Sequence, residues 1–200
     1  MQGQSDFPLS ETGRAQANRL GGWLAERGLR WGRHYASPLR RAAETARLVH
    51  QAAGGPAPET EPSLAELRAG ALEGLTFYEI AGQFPSYASR AVTELGDFAE
   101  YGGESYVAVQ ERARDLRHKL EARHRAGGER VLLVGHGGFN YQLLKQLVCE
   151  PVPRVCIVKM GNCSATLVRL RERRGTFIGE LVFHVPVELM GAAAREDTPL

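Results

Sequence analysis

The sequence predicts an α/β domain with a mostly parallel central sheet. The first observation is the continuous apolar run Val131–Val134, bounded by Arg130 and Gly135, which is typical of a strand buried on both faces of a parallel sheet. The second is the alternation of helical and strand patterns along the chain. The third is the length, because 200 residues of which 43% are hydrophobic suffice for one sizeable core. We therefore expect a single domain over residues 1–200.

The first half of the chain carries clear helix signals. Ser10 can cap a helix that ends at Gly28, since serine is a favoured N-cap and glycine a favoured C-terminal stop. A short strand over 34–36 leads into Ser37-Pro38, the pattern of an N-cap followed by proline at the first helical position. The helix that begins there is predicted to end near His50, and a loop rich in Gly, Pro and Ala follows over 53–62.

The second half alternates helices and strands. A short helix is predicted over 77–83, a long one over 104–125 and a third over 139–147. Two strand patterns over 165–170 and 177–185 are joined by Arg173-Arg174-Gly175, which indicates a hairpin.

Composition excludes several classes of function. With 25 basic and 23 acidic residues the formal charge is +2, so no global field favours nucleic acid or an anionic membrane, and an anion site must be local. The basic helix around Arg112 alternates with acidic residues and is interpreted as a solvated face. Cys149, Cys156 and Cys163 lack metal or disulfide spacing, which indicates free thiols in the reducing cytoplasm. No run reaches the length of a membrane span.

Three places carry residues suited to phosphate chemistry. Gly135-His136-Gly137-Gly138 lies where a buried strand ends and a helix begins, a place where anions bind free N–H groups and glycines allow close approach. Arg40-Arg41 places cations in a first helical turn, which is unfavourable unless an anion is near. Glu66 lies between two leucines, and a partly desolvated carboxyl can act as a general acid.

Taken in order, seven segments of the chain resemble the histidine phosphatase family, which includes phosphoglycerate mutases and many small phosphatases. They span nearly the whole sequence in family order: Gln2-Gly3-Gln4-Ser5-Asp6-Phe7-Pro8-Leu9-Ser10-Glu11-Thr12-Gly13, Ala36-Ser37-Pro38-Leu39-Arg40-Arg41-Ala42, Leu64-Ala65-Glu66, Gly70-Ala71-Leu72-Glu73-Gly74, Gly102-Gly103-Glu104-Ser105, Val134-Gly135-His136-Gly137-Gly138 and Asn162-Cys163-Ser164.

The resemblance implies a fold and a division of labour. It implies a three-layer sandwich with a central, mostly parallel sheet. Arg41, not Arg40, matches the phosphate-binding arginine, and Gly137 is expected to offer its backbone to the phosphate. His136 matches the histidine that stabilises the transferring phosphoryl group, and Glu66 matches the proton donor to the leaving oxygen. No metal or other cofactor is expected. The expected ligand is a small phosphorylated metabolite, and a homodimer is left open.

One expected motif is absent from the 200 residues. The family places a central strand and an Arg-His-Gly loop before the Gln-Gly segment, and its histidine attacks phosphorus to give a phosphohistidine. Here Arg33-His34 is followed by Tyr35, and Arg123-His124 is followed by Arg125. We expect that the domain lacks this strand and loop because the start is an internal methionine, with a fragment or an inactive relative as alternatives. The chain beginning at Met1 is expected to be inactive.

The resemblance leaves three functions open. A phosphatase is favoured over a phosphoglycerate-type mutase, because the mutases carry an arginine and a tyrosine where this chain has Leu67 and Ala69. The third function is a non-catalytic binder of a phosphorylated ligand. Leu67, Ala69, Leu72, Phe77 and Tyr78 are interpreted either as an apolar pocket wall or as ordinary core.

Overall fold

A parallel sheet and an antiparallel hairpin contain all the strands of the described residues. The structure is a computed structural model that describes residues 1–90, 96–123, 125, 129–149, 151–153 and 158–191. The strands are β1 (Arg33–Ala36), β2 (Glu59–Thr60), β3 (Val131–Val134), β4 (Ala165–Arg173) and β5 (Thr176–Val185). The helices are α1 (Glu11–Glu26), α2 (Arg40–Ala53), α3 (Phe77–Gln83), α4 (Pro85–Ala88), α5 (Tyr106–Arg123) and α6 (Gly137–Val148).

The parallel sheet has the order β2-β1-β3. Tyr35 in β1 pairs with Glu59 on one side and Leu133 on the other. Ala36 pairs with Val134, so β1 and β3 end at the same edge. Ligands of open α/β sheets collect at this carboxyl edge, and both predicted strand-to-helix junctions lie there.

Helices cover both faces of the sheet. Val131 and Leu133 pack into a core that includes Leu116 of α5 and Phe139 of α6. Leu132 points the other way, into a second core built from α1, α2 and the hairpin. Alternate side chains of one strand therefore belong to two cores, which is the packing of a sheet between two helical layers. The predicted α/β fold with helices around a central parallel sheet is confirmed.

Local signals placed several elements correctly. Ser10 accepts a hydrogen bond from the Gly13 N–H (3.1 Å) as the N-cap of α1. The short helix α3 has the predicted bounds, with a capping box formed by Thr76 and Glu79. The hairpin closes over Arg174 and Gly175, which both have positive φ (51° and 80°), as two-residue hairpin turns of type I′ require.

Three local predictions were wrong. The segment predicted as a loop over 53–62 contains the strand β2, which pairs with β1. The helix α2 begins at Arg40, and its N-cap is Leu39 rather than Ser37. The Ser37 hydroxyl is used instead by His136 and by the Leu39 N–H. The strand β3 is half-buried along its length rather than fully buried, because among the described residues it pairs only with β1.

Two of the edge strands, β3 of the sheet and β4 of the hairpin, have one unpaired side in the part of the chain that the structure describes. There β3 pairs only with β1, and β4 pairs only with β5. Leu132 of β3 nevertheless shares a core with Ala165 and Val185 of the hairpin, so the two open structures are packed together. None of the described helices is long and apolar enough to cross a membrane.

Candidate active site

His136 stands at the junction between β3 and α6. It is the residue before the first turn of α6 and is 8% exposed. Its Nε2 lies 2.8 Å from the Ser37 hydroxyl, and the Ser37 N–H donates to the Val134 carbonyl (2.9 Å). The pairing of β1 with β3 thus places the histidine beside the segment that leads to Arg41.

The surroundings of His136 keep its ring neutral at physiological pH. Burial is the main cause that lowers its pKa from 6.5 to about 4, and the positive charges of Arg41 and Arg112 contribute to the same shift. A neutral imidazole has one donor and one acceptor nitrogen. In the absence of an anion the ring is therefore a hydrogen-bonding group and not a cation, and a bound anion would favour its protonated form.

Arg41 is held in the first turn of α2 by backbone carbonyls. Its two terminal nitrogens donate to the carbonyls of Ser5 (2.7 Å) and Gly3 (2.7 Å). Burial lowers its pKa, while the acids Glu66, Asp6 and Glu73 oppose this shift, and an arginine stays protonated in either case. These acids also offset the cost of a cation at the positive end of a helix. The remaining N–H groups of the guanidinium are suited to bidentate contact with an oxyanion.

Glu73 fixes the segment that holds Arg41. Its carboxylate accepts hydrogen bonds from the Gln4 N–H (3.0 Å), the Ser5 hydroxyl (3.2 Å) and the Ala69 N–H (2.9 Å). Gly3 has a φ of +52°, and a Cβ there would lie 2.3 Å from the nearer carboxylate oxygen. Sequence reasoning quoted Glu73 only as part of a motif and gave it no role, because backbone partners leave no side-chain pattern to find.

Glu66 binds the start of α6. Its carboxylate accepts from the N–H groups of Gly138 (3.1 Å), Phe139 (2.9 Å) and Leu67 (2.9 Å). A Cβ on Gly138 would lie 2.6 Å from the carboxylate, so glycine is needed for this approach. The helix start was expected to bind an anion, and in this structure that anion is Glu66. Gly137 lies beside it and is exposed.

Together these contacts bring Arg41, Glu66 and His136 to one edge of the sheet. Arg41 and Glu66 interact electrostatically, as do Arg41 and His136, and Glu66 binds the two residues after Gly137. A fixed cation, a neutral imidazole and a carboxyl group around one surface can bind a phosphoryl dianion and protonate a leaving oxygen. The structure thus places the predicted residues side by side, and their individual roles stay predictions.

The described residues offer no second histidine suited to attack phosphorus here. His34 is 0% exposed, His50 lies in the last turn of α2, at the opposite end from Arg41, and His118 is exposed on α5. His184 lies with one ring nitrogen 2.8 Å from the Thr166 hydroxyl and the other 3.0 Å from the Lys159 carbonyl. His124 lies outside the described residues. The same residues contain no group of three or more His, Cys, Asp or Glu side chains that could hold a metal ion.

The proposed apolar wall divides into two parts. Leu67, Ala69 and Leu72 are buried in the core, so the interpretation as ordinary packing holds for them. Phe77 and Tyr78 are 69% and 88% exposed, so they contribute little to that core.

The interpretation of α5 as a solvated face was wrong for Arg112 and Arg117, whose side chains are only 20% and 16% exposed. Both guanidiniums donate to backbone carbonyls of neighbouring segments. Cys163 is a half-buried free thiol as predicted, and burial raises its pKa to about 11. Cys149 is half-buried as well. Cys156 lies outside the described residues.

Comparison with known proteins places the chain among phosphatases of one family. The family described as "Histidine phosphatase superfamily (branch 1)" matches residues 1–179. A metal-independent phosphoserine phosphatase of Arabidopsis thaliana is 31% identical over 179 residues, which are 87% of this chain and 71% of that protein. A glucosyl-3-phosphoglycerate phosphatase of Mycobacterium tuberculosis is 35% identical over 173 residues, 83% of this chain and 76% of the relative. A mycobacterial glucosyl-3-phosphoglycerate phosphatase structure with VO3 superposes with a TM-score of 0.77 at 33% identity, covering 90% of this chain and 88% of that one.

Proposed function

This chain belongs to branch 1 of the histidine phosphatase superfamily, and on that premise we propose that it is the phosphate-binding part of a phosphomonoesterase for small phosphorylated metabolites. The observation that carries the proposal is the convergence of Arg41, His136 and Glu66 at the start of α6. Phosphoserine and glucosyl-3-phosphoglycerate, the substrates in the names of two relatives, are of this class.

The surroundings of Glu66 favour hydrolysis over phosphoglycerate interconversion. The positions that carry an arginine and a tyrosine in the resembled mutases are Leu67 and Ala69 here, 6% and 0% exposed. Both are apolar and face the core, so neither can hold the carboxylate of a phosphoglycerate. Without a group that retains the dephosphorylated intermediate, water is the expected acceptor of the phosphoryl group.

We assign the reaction to a phosphohistidine route. A histidine nitrogen attacks phosphorus, the bond from phosphorus to the leaving oxygen breaks, and Glu66 gives that oxygen a proton. Water, deprotonated by the same carboxylate, then cleaves the phosphorus–nitrogen bond and releases inorganic phosphate. Arg41, His136 and the Gly137 backbone stabilise the charge on the transferring group, so the route needs no metal ion.

The attacking histidine is assigned to a segment before Met1, because no Arg-His-Gly triplet occurs in these 200 residues. The open edges of β3 and β4 support this assignment. A strand between them would satisfy both rows of backbone groups, and its carboxyl end would enter the site beside His136. The protein that begins at Met1 is accordingly assigned as inactive, since Arg41 and His136 cannot replace an attacking group held in line.

The first experiment reads the DNA upstream of Met1 and expresses the longer product if an in-frame Arg-His-Gly sequence is found. That protein should hydrolyse phosphomonoesters in the presence of chelators. The protein that begins at Met1 should not. Turnover of an aryl phosphate by the shorter protein, abolished by His136→Ala, would contradict the assignment of the nucleophile.

The second experiment tests Glu66 as the acid. Glu66→Gln should lower the rate on a sugar phosphate by about a hundredfold, a typical contribution of general acid catalysis, and the rate on a nitrophenyl phosphate far less, because a nitrophenolate leaves without a proton. Glu44→Gln is the matched control, since Glu44 lies on α2 in an ion pair with Arg14. Equal losses on both substrates would remove Glu66 from this role, and efficient phosphoglycerate interconversion would overturn the choice of phosphatase.

A further inference from the structure

We propose that Arg112 is a positioning residue that holds Glu66 against the start of α6, an inference that rests on the proposed function for the chemical role of Glu66. Arg112 lies on α5 and does not touch the Glu66 carboxylate. Its Nη1 donates to the carbonyls of Ser63 (2.9 Å) and Ala65 (2.7 Å), two of the three residues that precede Glu66. One nitrogen therefore fixes the backbone from which the carboxylate projects.

Glu104 holds the guanidinium in place. Nε and Nη2 of Arg112 donate to its two oxygens (3.0 and 2.9 Å), a bidentate pair whose side chains are 20% and 16% exposed. Glu104 also holds the chain that follows Glu66. Its carboxylate accepts a hydrogen bond from the Arg68 N–H (2.8 Å), and its own N–H donates to the Arg68 carbonyl (2.8 Å). The pair thus anchors the chain both before and after Glu66.

Arg112 also contacts the surface that Glu66 binds. Its guanidinium carbon lies 4.1 Å from the centre of the Phe139 ring, and that ring is fully buried. The Phe139 N–H is one of the donors to Glu66. Arg112 therefore contacts both the segment that carries Glu66 and helix α6, and the relative position of these two elements sets the distance between the Glu66 carboxylate and α6. Its charge also favours the neutral ring of His136.

Arg117, one and a half turns further along α5, provides a matched control. It has a similar set of polar partners, with a carboxylate partner in Glu121 (2.7 Å, one hydrogen bond) and two backbone carbonyls, those of Gln146 and Phe177. Its exposure is also similar, at 16%. None of these partners belongs to the site, so loss of Arg117 removes the same chemistry without releasing Glu66.

The test is an NMR experiment on the full 200-residue chain. The amide groups of Gly138 and Phe139 donate to the Glu66 carboxylate, so their chemical shifts and their hydrogen exchange report whether these two hydrogen bonds are intact. Arg112→Gln should move both resonances and accelerate exchange at Phe139 about tenfold, the effect of one lost hydrogen bond to a charged group. Gly138→Ala displaces the carboxylate directly and should produce the same change at Phe139, while Arg117→Gln should leave these signals in place.

Two results would overturn the proposal. One is unchanged Gly138 and Phe139 signals in Arg112→Gln, and the other is an equal change in Arg117→Gln, which would indicate general loosening. If Arg112→Gln fails to fold, Glu104→Gln tests the proposal in its place, with the Gly138 and Phe139 amide signals as the readout. In a catalytically active form, Arg112→Gln should reproduce the leaving-group sensitivity of Glu66→Gln, with kcat reduced on a sugar phosphate. The NMR arm requires no turnover, so absence of phosphatase activity would refute the proposed function and leave this inference standing.

Discussion

Replacement of His34 by leucine should make the protein markedly less sensitive to acid. His34 lies in β1 and is 0% exposed, and neither ring nitrogen has a hydrogen-bond partner among the described residues. Its ring packs edge-on against Trp31, with the ring centres 5.9 Å apart. Its pKa is lowered from 6.5 to about 4, mainly by burial and in smaller part by the His50 charge. The Pro56 backbone opposes this shift without reaching hydrogen-bond geometry.

The magnitude follows from the difference between the folded and unfolded states. Because the folded pKa of His34 is the lower one, the unfolded chain binds more protons between pH 6.5 and about 4. Stability is therefore lost as the pH falls through this window and is level below it. At 1.36 kcal/mol per pKa unit, the loss between about pH 7.5 and about pH 4.5 is about 2.5 kcal/mol. His136 also has a pKa of about 4, so its protonation adds a loss of unfolding free energy of similar size, and this second loss remains in His34→Leu.

The assay is urea denaturation followed by tryptophan fluorescence at both pH values. The parent should lose about 5 kcal/mol of unfolding free energy on acidification, and His34→Leu about half of that. At about pH 7.5 the variant should lie within about 1.5 kcal/mol of the parent, because the side chains are similar in volume. His118→Leu, at an exposed position of α5, is the control and should keep the parent's full loss. An equal loss in the parent and in His34→Leu would refute this account of the buried ring.

Two further outcomes are expected. Sulfate, which does not titrate in this range, should bind more tightly as the pH falls, because a bound anion raises the pKa of His136 above its value of about 4 in the free protein. If the bound anion returns this pKa to the ordinary value of 6.5, sulfate affinity rises about tenfold between about pH 7.5 and about pH 5.5. Calorimetry should measure this gain in affinity in the parent and find none in His136→Ala. Gly70→Ala should cost at least about 2 kcal/mol in urea denaturation, since Gly70 has a φ of +58° and a Cβ would lie 1.9 Å from the Tyr101 carbonyl. Gly82→Ala is its control, because nothing lies within 4 Å of the added methyl, and an equal cost there would contradict the argument.

Much of the fold could be predicted because local signals and burial agree. The Ser10 cap, the short helix α3 and the hairpin around Arg174-Gly175 depend on contacts between residues close in sequence. The order of the strands does not, and the half-buried state of β3 depends on which strands pair with it. Periodicity reports that a segment is apolar, whereas the number of its neighbours is a property of the assembled sheet.

The site was predictable in its members and not in their contacts. Arg41, Glu66 and His136 were found because their residue types match a known order of motifs. Their partners are largely backbone groups, such as the carbonyls that hold Arg41 and the N–H groups that hold Glu66. Every residue offers such groups, so no sequence pattern identifies them. Arg112 was misread for the same reason, because its partners include the carbonyls of Ser63 and Ala65.

Calorimetric binding of orthovanadate tests the central claim most directly, because it requires an oxyanion site and no turnover. Arg41 is half-buried with its guanidinium held toward the site, while its neighbour Arg40 is exposed, so the two residues form a matched pair. Arg41→Met should weaken binding by tenfold or more, in keeping with about 1.5–3 kcal/mol for a hydrogen bond to a charged group, and Arg40→Met should leave it within about twofold. Equal effects of the two substitutions, or none from Arg41→Met, would contradict the claim that Arg41 is the residue that binds the phosphoryl group.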